Sequence, residues 1–303
     1  MKKKLCAILL FSVFFLSACG GTLPPAATLT PTPVPPTQTP LPPTSTPTST
    51  PTSTPTPTPT PVPGGPCDNP LTPLVQGNEW LYQSTGANGA SRQRVTIGAV
   101  GEDRAEIVMV DPDTGKTVRD VIFCTQGNIE NFPIIVTSVL LADYVESVLN
   151  TYHTTGVYAP SYSTLAQNGW TYSWETEYLS EEAVLVKFPG TTLLAHLSPN
   201  AIFKYQWQIE NIHAAVTVPA GFYPQALKVS QNWQTSITLM GLPDVQASGV
   251  GGVLSMETIQ WYEPYIGLLK AQVTSATVWV PGVLEVPLTF GRVIELMSFT
   301  PGQ

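Results

Sequence analysis

The sequence is poor in charged residues and in the side chains that most often perform catalysis. Charged residues make up 11% of the 303 positions, there are three histidines and four cysteines, and Lys plus Arg number 13 against 21 Asp plus Glu. A nucleic-acid-binding protein needs a basic footprint, so this balance argues against that class. It argues equally against a folded domain that lies flat on anionic lipid.

Catalytic and metal-binding signatures are also missing. The histidines, His153, His196 and His213, stand in no zinc-ligand spacing, and the chain has no G-x-S-x-G elbow, P-loop or dinucleotide fingerprint. Asp111 and Asp113 could open a calcium loop, but the glycine that follows comes one place too early for an EF-hand. A hairpin turn is the preferred interpretation there. We therefore predict no metal and no cofactor.

One acidic cluster is the nearest approach to a catalytic site. Glu175, Glu177, Glu181 and Glu182 lie close together, and the first two share one face of a predicted strand. Paired carboxylates could serve glycoside hydrolysis. The preferred alternative is a solvated strand face, so no catalytic residue is predicted and the protein is expected not to be an enzyme.

The first residues of the chain predict export. Three lysines follow Met1, an apolar run covers residues 5–16, and small residues lead to Cys19. A basic start, an apolar centre and a small-residue cleavage site are typical of a secretory signal, here residues 1–18. The alternatives are an ordinary signal peptide that leaves a soluble product, or an uncleaved helix, for which the apolar run is short.

The segment Leu16-Ser17-Ala18-Cys19 resembles the lipobox of bacterial lipoproteins. The resemblance implies cleavage between Ala18 and Cys19, diacylglycerol on the Cys19 sulfur, and acylation of the new N-terminus by a fatty acid such as palmitate. Two or three acyl chains would give stable membrane attachment. The expected location is the outer side of a membrane, with the rest of the chain displayed at the cell surface.

Residues 19–66 are expected to form a lipidated, disordered linker. Of the 31 prolines in the chain, 17 fall within residues 21–66, which hold many threonines and serines and no charged residue. Proline removes backbone donors, so neither helix nor sheet is expected there. Extended polyproline II at about 3.1 Å per residue would reach on the order of 140 Å. The segment is interpreted as a spacer, with a tether of no required length as the alternative.

Residues 67–303 form the predicted globular domain, which is long enough for a hydrophobic core. Beyond Ala18 the chain holds ten basic residues against all 21 acidic ones, a net charge of −11. Cys67 and Cys124 are the two cysteines left besides Cys19. An even pair in an exported chain predicts a disulfide, although a free thiol pair is the alternative.

The sequence of the domain predicts mainly β structure. Segments rich in β-branched or alternating residues are separated by turn signals at short spacing. They cover residues 94–100, 104–110, 117–124, 170–174, 183–188, 191–196, 201–210, 212–218, 226–229, 234–240, 254–262, 268–275, 277–280 and 292–299. This pattern predicts a large antiparallel curved sheet or a partly open barrel. One helix is predicted over residues 136–152, from apolar residues at spacings of three and four.

Three short motifs resemble those of a group of uncharacterised, surface-located bacterial lipoproteins. They are P-L-x-x-G-x-x-W-x-Y at residues 73–82, V-P-A-G-x-[FY] at residues 218–223, and W-Y-x-P-x-x-G-x-x-K at residues 261–270. In the third motif this chain carries Tyr265-Ile266 where Gly-Val is usual, so that turn could differ. The resemblance implies a curved antiparallel sheet over an apolar interior, and no catalytic residue.

Aromatic residues are the most suggestive candidates for binding. Trp170, Trp174, Trp207 and Trp261 could line a pocket for an apolar or sugar ligand if they share the concave side of the sheet. Core packing is the alternative. The leading functional hypothesis is a membrane-anchored, non-enzymatic surface lipoprotein that binds a lipid or another apolar ligand. The others are an adhesive envelope protein that binds a polymer or a protein partner, and a carboxylate-dependent hydrolase.

Overall fold

The computed structural model describes residues 65–86, 89–131, 151–181, 183–187, 194–240, 249–280, 282, 284–288 and 291–302. The signal segment, Cys19, the linker up to residue 64 and residues 132–150 lie outside the described residues. Most of the predicted helix falls in that last gap. Its final two residues, Thr151 and Tyr152, belong instead to a strand, because they pair with Ser180 and Leu179.

The described residues form fifteen strands and one short helix. In chain order they are β1 (Glu79–Gly86), β2 (Gly89–Val100), β3 (Arg104–Val110), β4 (Thr117–Thr125), β5 (Asn128–Ile129), β6 (Thr151–Gly156), α1 (Tyr162–Gln167), β7 (Ser173–Ser180), β8 (Val184–Lys187), β9 (Leu194–Leu197), β10 (Ile202–Val218), β11 (Gly221–Met240), β12 (Val250–Glu263), β13 (Gly267–Val280), β14 (Leu284–Pro287) and β15 (Val293–Thr300).

The strands join in one antiparallel sheet, which confirms the predicted fold class. Its order is β5-β4-β3-β2-β1-β15-β13-β12-β11-β10-β7-β6, with β14 beside β13, and with β9 beside β11 and carrying β8 at its edge. Most neighbours are consecutive in the chain, as in a meander. The exceptions are β7, which lies beside β10, β9, which lies beside β11, and β15, which returns from the end of the chain to lie between β1 and β13. The sheet is not closed into a barrel by pairing of its two end strands.

The two ends of the sheet nevertheless meet along a seam of backbone and side-chain hydrogen bonds. An isolated bridge pairs Ile129, at the end of β5, with Ala159, after β6. Asn69 is fully buried beside it and donates from Nδ2 to the carbonyl oxygens of Gly127 at 2.7 Å, Pro160 at 2.9 Å and Ala159 at 3.2 Å. Asn69 Oδ1 accepts from two backbone amides of its own segment. One side chain therefore satisfies buried backbone groups of three segments.

Alternation along the strands places one face of the sheet in the core. In the first half of β10 the buried positions are Phe203, Tyr205, Trp207 and Ile209, and the exposed positions between them are Lys204, Gln206 and Gln208. A period of two is what an antiparallel strand with one solvated face requires. Each large apolar side chain buried in this way stabilises the fold by about 1.5–3 kcal/mol.

Aromatic rings form a stacked column on the buried face. Trp174 lies parallel to Trp207 at 5.7 Å between ring centroids, and each indole continues the stack with a tyrosine, Tyr172 at 5.9 Å and Tyr205 at 6.1 Å. The order follows from the register, because Trp174 on β7 pairs directly with Trp207 on β10. Cross-strand aromatic pairs of this kind stabilise a sheet beyond the area that they bury.

The predicted disulfide is present. Cys67 and Cys124 are bonded, with Cα atoms 5.1 Å apart and 57 residues between them in sequence. Both residues are buried, and the bond ties the start of the domain to β4. Its neighbour Asn69 anchors the same segment, so a covalent link and a hydrogen-bond network hold the start of the domain together.

The structure adds two elements that the sequence patterns did not indicate. Residues 154–168, predicted as a loop, contain the end of β6 and the six-residue helix α1, whose first turn is capped by Ser161 Oγ accepting from Thr164 N at 3.3 Å. Several predicted strand pairs are also single long strands. The predicted strands at residues 201–210 and 212–218, for example, form the single strand β10 (Ile202–Val218), with register shifts near Asn211.

Candidate functional site

A polar groove crosses the outer face of the sheet over β7, β10, β11 and β12. It has a volume of about 1050 Å³. Two cross-strand rows of residues line it, each running over the same four strands. The first row is Glu175, Gln206, Asn232 and Glu257, and the second row is Ser173, Gln208, Ser230 and Ile259.

The rows follow from strand register and from alternation. Gln206 pairs with Glu175 on one side and with Asn232 on the other, and Asn232 pairs in turn with Glu257. All four side chains of the first row are exposed, because on each strand the residues before and after the row position point into the core. The outer face of these strands therefore carries amides, carboxylates and hydroxyls in register.

Hydrogen bonds hold the two ends of the first row. Gln206 Nε2 donates to Glu175 Oε1 at 2.8 Å, and Ser275 Oγ, on β13, donates to Glu257 Oε2 at 2.9 Å. Between them the exposed Asn232 amide makes no side-chain hydrogen bond with the described part of the chain. This central amide is free to donate to a ligand and to accept from one.

Two further acidic side chains, Glu210 in the groove and Glu177 beside it, are paired with lysines. Lys228 Nζ lies 2.7 Å from Glu210 Oε2, and this bond lowers the pKa of the Glu210 carboxyl below its usual value. Lys204 Nζ lies 3.2 Å from Glu177 Oε1. Both pairs are partly exposed to solvent, so each contributes little to stability. Their effect is to neutralise two carboxylates next to the rows.

The four tryptophans proposed as ligand-binding residues do not share one pocket. Trp174 and Trp207 belong to the groove lining but are only 6% and 3% exposed and stack on each other. Trp170 is half-buried against the ring of Tyr162, beside helix α1. Trp261 is half-buried on β12, where it pairs with Lys228 on β11 and with Lys270 on β13. In this structure Trp174 and Trp207 pack in the core beneath the groove.

The carboxylates proposed for hydrolysis lie on the outer face of β7. Glu175 and Glu177 both line a smaller depression of about 250 Å³, together with Lys204 and Gln206. Each carboxylate is bound by the residue opposite it on β10, Glu175 by Gln206 and Glu177 by Lys204. This pairing matches the solvated strand face that was the preferred interpretation.

The interior holds a much smaller, mainly apolar cavity. Its volume is about 70 Å³, and it lies under the segment Leu71–Pro73 between Trp80, Tyr82 and Ile294. Beside it runs a buried polar network in which Tyr262 donates to Gln260, and Gln260 and Thr258 donate to Gln231 Oε1. Burial raises the pKa of Tyr158, which hydrogen-bonds to Tyr262, to about 12.

Sequence reasoning did not single out the amides that line the groove. Gln206, Gln208 and Asn232 occupy the polar positions of alternating strands, where side chains usually serve only to face water. The signal that could have identified them is the repetition of amide residues in K-Y-Q-W-Q-I-E and S-Q-N-W-Q-T-S, which together form one hairpin. Their convergence depends on register, which those patterns alone do not fix.

Some features of known sites are absent from the described part of the chain. There, no group of three or more His, Cys, Asp or Glu side chains is placed to hold a metal ion. The helical residues described above form no helix of the length and apolarity that would cross a bilayer.

Comparison with known proteins leaves the family open. No protein-family model and no curated protein matches the chain. One solved structure, a "putative lipoprotein" from Parabacteroides distasonis, is similar with a TM-score of 0.40 and 13% sequence identity, over 77% of this chain and 99% of that one. Similarity at this level assigns neither a family nor a function.

Proposed function

We propose that this protein is a lipid-anchored, non-enzymatic lipoprotein of the cell surface whose β domain binds a polar envelope polymer in the groove. The observation that carries the proposal is the groove itself, about 1050 Å³ over two rows of outward side chains that are all polar except Ile259. Ligand sites typically occupy about 300–1,000 Å³. An apolar ligand inside the sheet has less support, because the interior cavity of about 70 Å³ falls well below that range.

Charge restricts the polymer. The part of the chain beyond Ala18 has ten basic and 21 acidic residues, and Glu175 and Glu257 stand at the two ends of the first row. A polyanion would be repelled by this surface. Nucleic acid and acidic polymers are therefore unsuitable partners, whereas a ligand rich in hydroxyl groups could bond with the amides and carboxylates of the groove.

The anchor and spacer give this binding activity a location. The lipobox resemblance at Leu16–Cys19 implies acyl chains on Cys19, and residues 21–66 would separate the domain from the membrane. A binding domain held at a distance from the bilayer suits a polymer layer that lies outside it. The membrane is thus a partner through lipid alone.

The binding part of the proposal is tested by co-sedimentation of the full chain, purified in detergent, with insoluble neutral polysaccharides and with isolated cell-envelope polymer. We expect saturable binding that the double substitution Gln206→Ala and Gln208→Ala weakens. The matched control is Gln225→Ala, an exposed glutamine of β11 outside the groove. Equal binding by all three proteins, or none by the unmodified chain, would remove the groove from the proposal.

Three further measurements test the remaining parts. Mass spectrometry should find acyl chains on Cys19, and Cys19→Ser should release the protein from membranes. Incubation with a bound polymer should yield no shorter products, and Glu175→Gln should leave that result unchanged. A fluorescent fatty-acid probe should bind without saturation. Saturable probe binding would favour the apolar-ligand hypothesis instead.

A further inference from the structure

We infer that the polymer is an uncharged glycan whose chain runs across the strands, with one monomer over each strand of the first row. The inference rests on the proposed function and makes it more specific. It begins from the geometry of the two rows. Neighbouring strands are about 4.8 Å apart, so four strands place the ends of a row about 14 Å from each other.

The groove is longer across the strands than along them. On β7, β11 and β12 its outward lining covers two positions each, and on β10 it covers three, Gln206, Gln208 and Glu210, which span about 14 Å. Across the strands the lining continues from Gly156 on β6 to Thr274 on β13, over six neighbouring strands that span about 24 Å. Two outward positions on one strand are separated by about 7 Å. An extended ligand that fills the groove must therefore lie across the strands. A β-linked pyranose chain repeats at close to the strand spacing, so it can meet each strand once.

The chemistry of the first row suits sugar hydroxyls. Carboxylates at Glu175 and Glu257 accept hydrogen bonds, whereas the amides of Gln206 and Asn232 between them both donate and accept. A hydroxyl group also donates and accepts, so neighbouring hydroxyls of one ring can bond to neighbouring positions of the row. No step in this recognition requires a charge on the ligand.

The lysine pairs argue against a cationic ligand. Glu210 and Glu177, which flank the rows, are already occupied by Lys228 and Lys204. Glu175 and Glu257 in turn accept from Gln206 and Ser275. The carboxylates are therefore part of a hydrogen-bonded array rather than a set of free anions. Asn232, exposed and central, is the residue whose amide is most available to the glycan.

The experiment measures the affinity of the full chain in detergent for uncharged cello- and chito-oligosaccharides, from the monosaccharide to the hexasaccharide, by calorimetry. Affinity should rise with length and level off near the tetrasaccharide, since four strands line the first row. Asn232→Ala should weaken tetrasaccharide binding about three- to tenfold, as expected for one hydrogen bond. Gln225→Ala, at an exposed amide of β11 that lines neither the groove nor the adjoining depression, should leave it unchanged.

The outcomes separate this inference from the proposed function. Binding that levels off at the disaccharide, or that Asn232→Ala leaves intact, would overturn the orientation while the groove still binds polymer. Stronger binding of deacetylated, cationic chito-oligosaccharides, lost at high salt, would overturn the uncharged class. Absence of binding to every oligosaccharide, with retained binding to envelope polymer, would exclude a glycan. Absence of all polymer binding would end the proposed function itself.

Discussion

Asn69 Nδ2 donates a hydrogen bond of 2.7 Å to the carbonyl oxygen of Gly127, 58 residues later in the chain. The contact joins the first segment of the domain to the turn between β4 and β5. Because the same amide also reaches Ala159 and Pro160 beyond β6, it links the two ends of a sheet that strand pairing leaves open. The stability of the domain should therefore depend on this residue to an unusual degree.

Replacement of Asn69 tests that dependence. Asn69→Ala leaves several buried backbone groups without partners, each worth about 1–3 kcal/mol, so we expect a loss of at least about 3 kcal/mol in the free energy of unfolding. Urea denaturation followed by tryptophan fluorescence measures it. Asn211→Ala is the control, since that exposed asparagine accepts one hydrogen bond, from His213 N, and should cost less than about 1 kcal/mol. Similar losses in both variants would contradict the role of the seam.

The disulfide gives a second prediction. A bond between residues 57 apart should contribute about 4 kcal/mol by the chain-entropy model. Removal through Cys67→Ala with Cys124→Ala should lower the urea midpoint by a corresponding amount. Reductant should produce the same shift in the unmodified chain and none in the double variant. If reductant leaves the urea midpoint of the unmodified chain unchanged, the disulfide does not stabilise the fold.

The third prediction concerns the backbone geometry of Gly156, which lies at the edge of the groove. Its φ is +81°, and a Cβ placed there would lie within van der Waals overlap of Glu175 O. Gly115 has a φ of +74° with nothing within 4 Å of such an atom. Gly115→Ala should therefore cost only the left-handed conformation, about 1–2 kcal/mol. Gly156→Ala should cost more, about 3 kcal/mol or above, because backbone must move. Thermal denaturation compares the two, and equal melting temperatures would contradict the prediction.

Buried tyrosines predict a loss of stability in alkali. Burial raises the pKa of Tyr158 to about 12, and burial also raises the pKa values of Tyr178, Tyr205 and Tyr262. The unfolded chain ionises near pH 10, so these groups contribute fully below that pH, and their contribution falls as pH rises toward the folded values.

The expected slope is about 1.4 kcal/mol per pH unit for each such tyrosine. Urea midpoints between about pH 9 and 12 measure it, with absorbance at 295 nm reporting tyrosinate. Tyr158→Phe should reduce the slope of the free energy of unfolding against pH by the contribution of one tyrosine, about 1.4 kcal/mol per pH unit. Tyrosinate that appears near pH 10 without unfolding would show that these hydroxyls are accessible to water.

The turns were predictable because their chemistry is local. The hairpin at Asp111 forms as the residue types indicate, with Asp111 Oδ1 accepting from the amides of Asp113 and Thr114. The departure of Tyr265 from the usual glycine also has a visible consequence. Tyr265 has a φ of 65°, the left-handed conformation that glycine adopts most readily. Its motif keeps the expected hairpin between β12 and β13 despite this residue.

The arrangement of distant segments was not predictable from the same patterns. Nothing in the alternation of β15 indicates that it lies between β1 and β13, because a strand's period sets its faces and not its neighbours. The groove is hidden for the same reason. Gln206 and Asn232 share a hairpin, but their alignment with Glu175 and Glu257 depends on three separate registers. Helix α1 was not predicted because six residues are too few to show a helical period.

The position of the disulfide has a mechanical consequence. The bond joins Cys67, two residues before Asn69, to Cys124 near the C-terminal end of β4, so tension from the N-terminal side passes through the sulfur atoms before it can pull Asn69 from the seam. Without the disulfide, the hydrogen bonds of the seam could break one after another under load. With it, the covalent bond carries that load first. Such tension would then enter β4 through covalent bonds rather than through the hydrogen bonds of the seam.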